Sequence, residues 1–135
     1  VFIHVLEQAQ VLDLIGEGIA LLIGDGESAS GTGSLLVASA VFSSVTDNIP
    51  LAAMLAKILS AAGTAGDSPL WWSVVFGANL GGNITPIGSA STLVAVTLIH
   101  KYKLPLSFAA FVSKALPYAA LQIGLATIYV LVFLR

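Results

Sequence analysis

The chain contains no cysteine and very little charge. Without cysteine there are no disulfides, no thiolate metal sites and no cysteine nucleophile. Only 9% of its 135 residues are Asp, Glu, Lys or Arg, where soluble domains average about 25%. Five basic against seven acidic residues give a formal net charge of −2, and no basic patch of the kind nucleic-acid binding needs is present. Residues 68–99 carry no charged side chain at all. What fills the space is apolar: 57% of the residues are hydrophobic and the mean hydropathy is +0.98. This composition predicts an integral membrane protein. Methionine is scarce too. The only one is Met54, and the chain opens on Val1, so it reads as a piece of a longer protein. Residues 1–6 then read as the tail of a span begun upstream, and with no basic stretch before them they are not a signal peptide. The length accommodates about four membrane elements of roughly 20 residues, about half of an ordinary secondary transporter.

The uncharged run has a polar centre, Gly77-Ala78-Asn79-Leu80-Gly81-Gly82-Asn83-Ile84-Thr85-Pro86-Ile87-Gly88-Ser89. In hydrocarbon every backbone N–H and C=O needs a partner, so a helix broken here must face protein, water or a solute. The expectation is a discontinuous transmembrane helix over residues 70–99, with halves at 70–79 and 89–99. Its first half offers free carbonyls, which attract cations, and its second half offers free N–H groups, which attract anions. Transporters place such breaks near the bilayer midplane as ion and substrate sites. Asn79, Asn83, Thr85, Ser89 and Ser91 supply polar side chains there, and Gly81, Gly82 and Gly88 allow close backbone approach. The competing reading is packing alone: Gly77-x-x-x-Gly81 is also a helix-packing motif, and Pro86 also a kink. Asn83-Ile84-Thr85 has the form of a glycosylation site, but the following proline and the membrane depth argue against that use.

A second polar interruption, Thr46-Asp47-Asn48-Ile49-Pro50, divides residues 34–62 into two apolar arms. Each arm of about 12 residues reaches roughly 18 Å, short of a core of about 30 Å. With Asn and Pro at the tip, a re-entrant hairpin is expected over a single kinked span. Asp47 is an intramembrane carboxylate and so a candidate cation or proton site. It also has the position of an N-cap for the second arm, with Pro50 in the first turn. Lys57 reads as a snorkelling or partner charge. His4 and His100 are peripheral, and no residues converge on a metal site.

Around these two breaks the remaining elements fall into place. Val11–Ile23 sets Asp13 and Glu17 (with Glu7 before it) opposite Leu12, Ile15, Ile19 and Leu22, the pattern of an interfacial amphipathic helix. Residues 25–33 and 63–69 are polar connections, and Trp71 and Trp72 are interfacial anchors. Residues 104–114 read as an amphipathic linker. Residues 115–134 read as the last transmembrane helix, with Pro117 in its first turn. Lys101, Lys103 and Lys114 mark the cytoplasmic side. Asp25, Glu27, Asp67 and the tryptophans then face outward, the hairpin enters from outside, and Arg135 ends outside.

The stretches Ser44-Val45-Thr46-Asp47-Asn48-Ile49-Pro50-Leu51 and Gly77 to Ser89 resemble the ion transporter superfamily, and within it the arsenite permease/sodium–proton antiporter (ArsB/NhaD-like) group. The order of elements fits as well, across essentially the whole chain as the C-terminal half of such a permease. The resemblance implies an all-α integral membrane fold built from two inverted repeats, each contributing one re-entrant hairpin and one broken helix. This chain would be one repeat, ending in a final transmembrane helix. It further implies homodimers, an elevator-type motion and a partner half supplied by the missing N-terminal repeat. The site would comprise Thr46, Asp47, Asn48, Asn79, Gly81, Gly82, Asn83, Thr85, Pro86, Gly88, Ser89 and Ser91.

The expected function is secondary active transport of a small inorganic ion, by arsenite or anion export or by Na+/H+ antiport, across the inner or plasma membrane. No cofactor is expected beyond a coupling Na+ or H+, with Na+ placed near Asp47, Asn48 and Asn83. Dicarboxylate carriers of the superfamily show Ser-Asn-Thr at the hairpin tip. Thr46-Asp47-Asn48 here argues against the alternative of a sodium-coupled dicarboxylate or anion symporter. The alternative of another class is a channel or structural membrane subunit. An enzyme is not expected, since no nucleophile–base pair or metal triad converges.

Overall fold

Five serine or aspartate side chains set where the helices begin. Ser28, Asp47, Ser68, Ser89 and Ser107 each hold extended backbone at an N-cap and accept a hydrogen bond from an N–H of the first turn. The computed structural model describes residues 11–24 and 28–134, with side chains from residue 17 onward. In chain order the helices are α1 (Val11–Ile23), α2 (Ala29–Ser43), α3 (Asn48–Ala61), α4 (Pro69–Gly81), α5 (Ala90–Lys101) and α6 (Phe108–Phe133). The described residues contain no strand. The expectations attached to residues 1–6, His4, Glu7, Asp25, Glu27 and Arg135, and to the side chains of Leu12, Asp13 and Ile15, lie outside what is described.

α2 and α4 form the centre and run side by side in the same direction. Ser73 on α4 donates to the Thr32 carbonyl at 3.0 Å. Further along, Gly77 faces Leu36 and Ser39, and Gly81 faces Ala40. A Cβ added to Gly77 would sit 2.6 Å from Ser39 Cβ, and one added to Gly81 would sit 2.5 Å from Ala40 Cα. The Gly77-x-x-x-Gly81 spacing therefore brings the two backbones together, which is what small residues at that interval do in membrane helices.

Apolar side chains cover this pair on both flanks. Ile19 from α1 joins Leu35, Leu51, Leu55, Ile58, Leu59, Leu70 and Val74 in one cluster. Ala126 and Val130 of α6 close on Leu36 in the other, with Phe76, Leu80 and Ile123 around them. α3 ends in a left-handed glycine. Gly63 (φ 74°) lets its own N–H reach Ser60 O at 3.1 Å and the Thr64 N–H reach Leu59 O at 3.1 Å.

Two boundaries differ from the sequence reading. Residues 29–33, read as part of a polar connection, are the first turn of α2, because Ser28 caps Gly31 N at 3.1 Å and Gly31 and Thr32 are buried. Residues 108–114, read as a linker, belong to α6. Ser107 caps its start, and Pro117 lies inside the helix rather than in its first turn. α6 is the one helix among the described residues long and apolar enough to cross a membrane: 26 residues, with 17% of its most apolar window buried. So little burial separates it from the core helix of a soluble protein. α2, α3 and α5 are apolar but short, about 18 to 23 Å at 1.5 Å per residue.

Candidate functional site

The C-terminal ends of α2 and α4 lie together, and the two chain breaks follow from them. The last carbonyls of a helix lack intrahelical partners, and here side chains from the opposite break supply them. Ser43, fully buried near the end of α2, donates from its hydroxyl to the Ala78 carbonyl near the end of α4. Thr85, in the second break, donates from its hydroxyl to the Ser44 carbonyl in the first. Asn48 Nδ2 donates to Asn79 Oδ1 at 3.4 Å, while Asn79 Nδ2 donates to the Val75 carbonyl one turn back at 2.7 Å. That second bond orients the Asn79 amide with its oxygen toward Asn48.

Glycine makes the second break compact. Cβ atoms on Gly82 and Gly88 would meet each other's backbone, at 2.9 Å from Gly88 O and 2.8 Å from Gly82 O, and the one on Gly88 would also lie 3.0 Å from Ser43 O. The returning chain therefore passes against both itself and the end of α2. Gly82 N–H turns back to Leu80 O, Asn83 N–H also bonds Leu80 O at 3.2 Å, and Ile84 N–H bonds Gly81 O at 3.0 Å.

Two new helices start from the same region. Asp47 caps α3, its Oδ1 accepting from Ile49 N at 3.3 Å, and the side chain is exposed. Ser89 caps α5, accepting from Thr92 N at 3.3 Å. Its hydroxyl also lies 3.1 Å from that of Ser91 and 3.0 Å from that of Thr92. Two helix C-termini thus meet two helix N-termini. Partial negative and partial positive poles sit side by side with carboxylate, amide and hydroxyl groups between them.

Of the residues expected at the site, the structure brings Asp47, Asn48, Asn79, Gly82, Thr85, Gly88 and Ser89 together around the two breaks. Thr46 turns its hydroxyl back to Phe42 O at 2.7 Å. Pro86 is buried and offers its carbonyl to the Thr92 hydroxyl at 3.3 Å. Gly81 packs against Ala40. Asn83 and Ser91 are exposed, and Ser91 joins the group only through Ser89. No cluster of three His, Cys, Asp or Glu side chains occurs among the described residues. Sequence reasoning left out Ser43, Ser44 and Thr92. Their one local signal was position, just before or just after a break.

The sequence matches the profile of the arsenical pump membrane protein family (ArsB) over residues 1–132. The chain belongs to this family. Among relatives, an uncharacterized transporter of Mycobacterium tuberculosis is 35% identical over 101 residues, covering 70% of this chain and 23% of that protein. A 46 kDa membrane protein of Mycobacterium leprae is 30% identical over 134 residues, covering 96% of the chain and 31% of its own length. The P protein of Mus musculus is 28% identical over 141 residues, covering 98% and 17%. The matches thus cover 23% to 31% of these two bacterial proteins, less than the half expected for one repeat of two. No solved structure matches. Membership makes this chain part of a membrane protein of a transporter family.

Proposed function

We propose that the chain is part of a secondary active transporter that moves a small inorganic ion, by arsenite or anion export or by Na+/H+ antiport. Its contribution to the site is the hairpin tip around Asp47 and Asn48 and the break from Asn79 to Ser89. The observation that carries this reading is the hydrogen-bonded meeting of two interrupted helices, Ser43 with Ala78 and Thr85 with Ser44. A helix interrupted in an apolar segment needs its polar ends satisfied, and these two satisfy each other. Helices of 13 and 12 residues flank the second break. At 1.5 Å per residue each reaches about 18 to 20 Å, enough to run from the midplane of a core of about 30 Å to its surface.

The chemistry divides by pole. Asn79 Oδ1, the second oxygen of Asp47 and the carbonyl ends of α2 and α4 are acceptors suited to a coupling cation or proton. The N-terminal ends of α3 and α5, with Ser89 and Ser91, are donors suited to an anion or a neutral oxyacid. Expected partners are the lipid bilayer and the remainder of the permease, which would complete the site.

The test is Asp47→Asn in the full-length protein, with ion-dependent flux measured in membrane vesicles. The amide retains an oxygen for the Ile49 cap but loses the charge. Coupled flux should fall at least tenfold while expression and membrane insertion hold. Unchanged coupling would remove Asp47 from the mechanism.

A further inference from the structure

We propose that the turn joining α5 to α6 is a binding site for an anionic phospholipid, its acyl chain lying along α5 and its phosphate held between Lys101 and Lys103. Among the described residues, α5 has no buried residue and no substantial packing contact with any other helix. Val94 is 58% exposed and Leu98 47%. These two and the exposed Lys101 follow one another at intervals of four and three residues, which puts all three on one helix face. An apolar stripe therefore ends in a cation. Tyr102, 74% exposed, sits beside it, and Leu104 and Phe108 leave the turn exposed on the far side.

The turn holds a defined shape. Lys103 N–H bonds His100 O at 2.9 Å and Leu104 N–H bonds Ile99 O at 3.1 Å, closing α5 with Lys103 in the left-handed region at φ 59°. The His100 ring fastens the far side to Leu106 O at 2.8 Å. Lys101 and Lys103 are both exposed, two residues apart on an ordered turn. No Asp or Glu follows Asp67 anywhere in the chain, so this half supplies no carboxylate to neutralise them. An apolar stripe, then a tyrosine, then lysines reproduces the order hydrocarbon, interface, headgroup. That order and the pair of exposed lysines, with no carboxylate near them in sequence, favour a phospholipid over a protein partner. None of this depends on which ion is transported.

The test uses the full-length permease in neutral detergent, titrated with phosphatidylglycerol or phosphatidylcholine, with retained lipid counted by native mass spectrometry. Phosphatidylglycerol should be retained preferentially and released as salt rises. Lys101→Gln should weaken retention about fivefold, and Lys101→Gln with Lys103→Gln about thirtyfold. Lys103→Gly separates binding from folding: glycine suits the left-handed turn, so thermal stability should hold or rise while retention falls. Equal retention of the two lipids, or undiminished retention in the double variant, overturns the proposal. So does a photoreactive residue at position 98 that cross-links to another segment of the permease and not to lipid.

Discussion

The Ser43 hydroxyl donates to the carbonyl of Ala78, 35 residues further along the chain. Ala78 is one of the last four residues of α4, and the Gly82 N–H that would continue the helical ladder has turned to Leu80 O instead. A side chain from the end of one helix thus caps the end of another. Ser43→Ala should destabilise the protein by about 1–2 kcal/mol, the cost of a buried acceptor losing its donor. Thermal unfolding in detergent would read it, and a change under about 0.3 kcal/mol would count against the bond.

Thr85 links the breaks from the other side through the Ser44 carbonyl and is 7% exposed. Thr85→Val keeps the shape and removes the donor, so a loss of about 1–2 kcal/mol is expected. Thr85→Ser should keep most of the stability. Equal effects of the two substitutions would show that packing and not the hydroxyl matters.

The glycines divide sharply. A methyl group on Gly81 would collide with the Ala40 backbone, and backbone has little room to move. Gly81→Ala should cost about 3 kcal/mol or prevent assembly altogether. Gly124, on α6, has nothing within 4 Å of an added Cβ. Gly124→Ala should raise stability by roughly 0.5–1 kcal/mol through helix propensity alone. Paired melting curves of the two variants check both signs.

Lys103 holds a left-handed backbone that costs an L-residue roughly 1–2 kcal/mol. Lys103→Gly should therefore stabilise the protein by about 1 kcal/mol in neutral detergent. A lower melting temperature would mean that the lysine side chain has a structural partner in the whole permease.

Much of the architecture was legible in the sequence because its signals are local. The break over residues 70–99 was read as halves at 70–79 and 89–99, and the helices observed are Pro69–Gly81 and Ala90–Lys101. Asn, Gly and Pro disfavour helix wherever they occur together, so a break announces itself. The errors came where tertiary packing outweighs local composition. Ala29 to Gly33 looks like loop in sequence, yet it is helical because Gly31 and Thr32 are buried and Ser73 of α4 bonds the Thr32 carbonyl. Pro117 reads as a helix start, but Ser107 caps the helix ten residues earlier.

The candidate site was legible in outline and not in its connections. Asp47, Asn48, Asn79 and Thr85 stand out as polar residues in apolar surroundings. Ser43 and Ser44 do not, since small hydroxyl residues are common inside membrane helices and bond to their own backbone. Nothing local distinguishes Ser39, which donates to Leu35 O on its own helix at 2.7 Å, from Ser43, which reaches across to α4.

Composition by itself determined the membrane class, since so few charges and so much apolar surface are unsuited to a soluble fold. Local chemistry determined where the chain breaks and which residues cap the new helices. Only the tertiary structure decided what each small residue is for: Gly77 and Gly81 seat α4 on α2, while Gly82 and Gly88 fold the break on itself and Gly88 also meets the end of α2. The physical reason is that these four glycines have the same intrinsic freedom. Their roles differ only through which backbone comes close: α2 for Gly77, Gly81 and Gly88, and the returning chain of the break itself for Gly82 and Gly88.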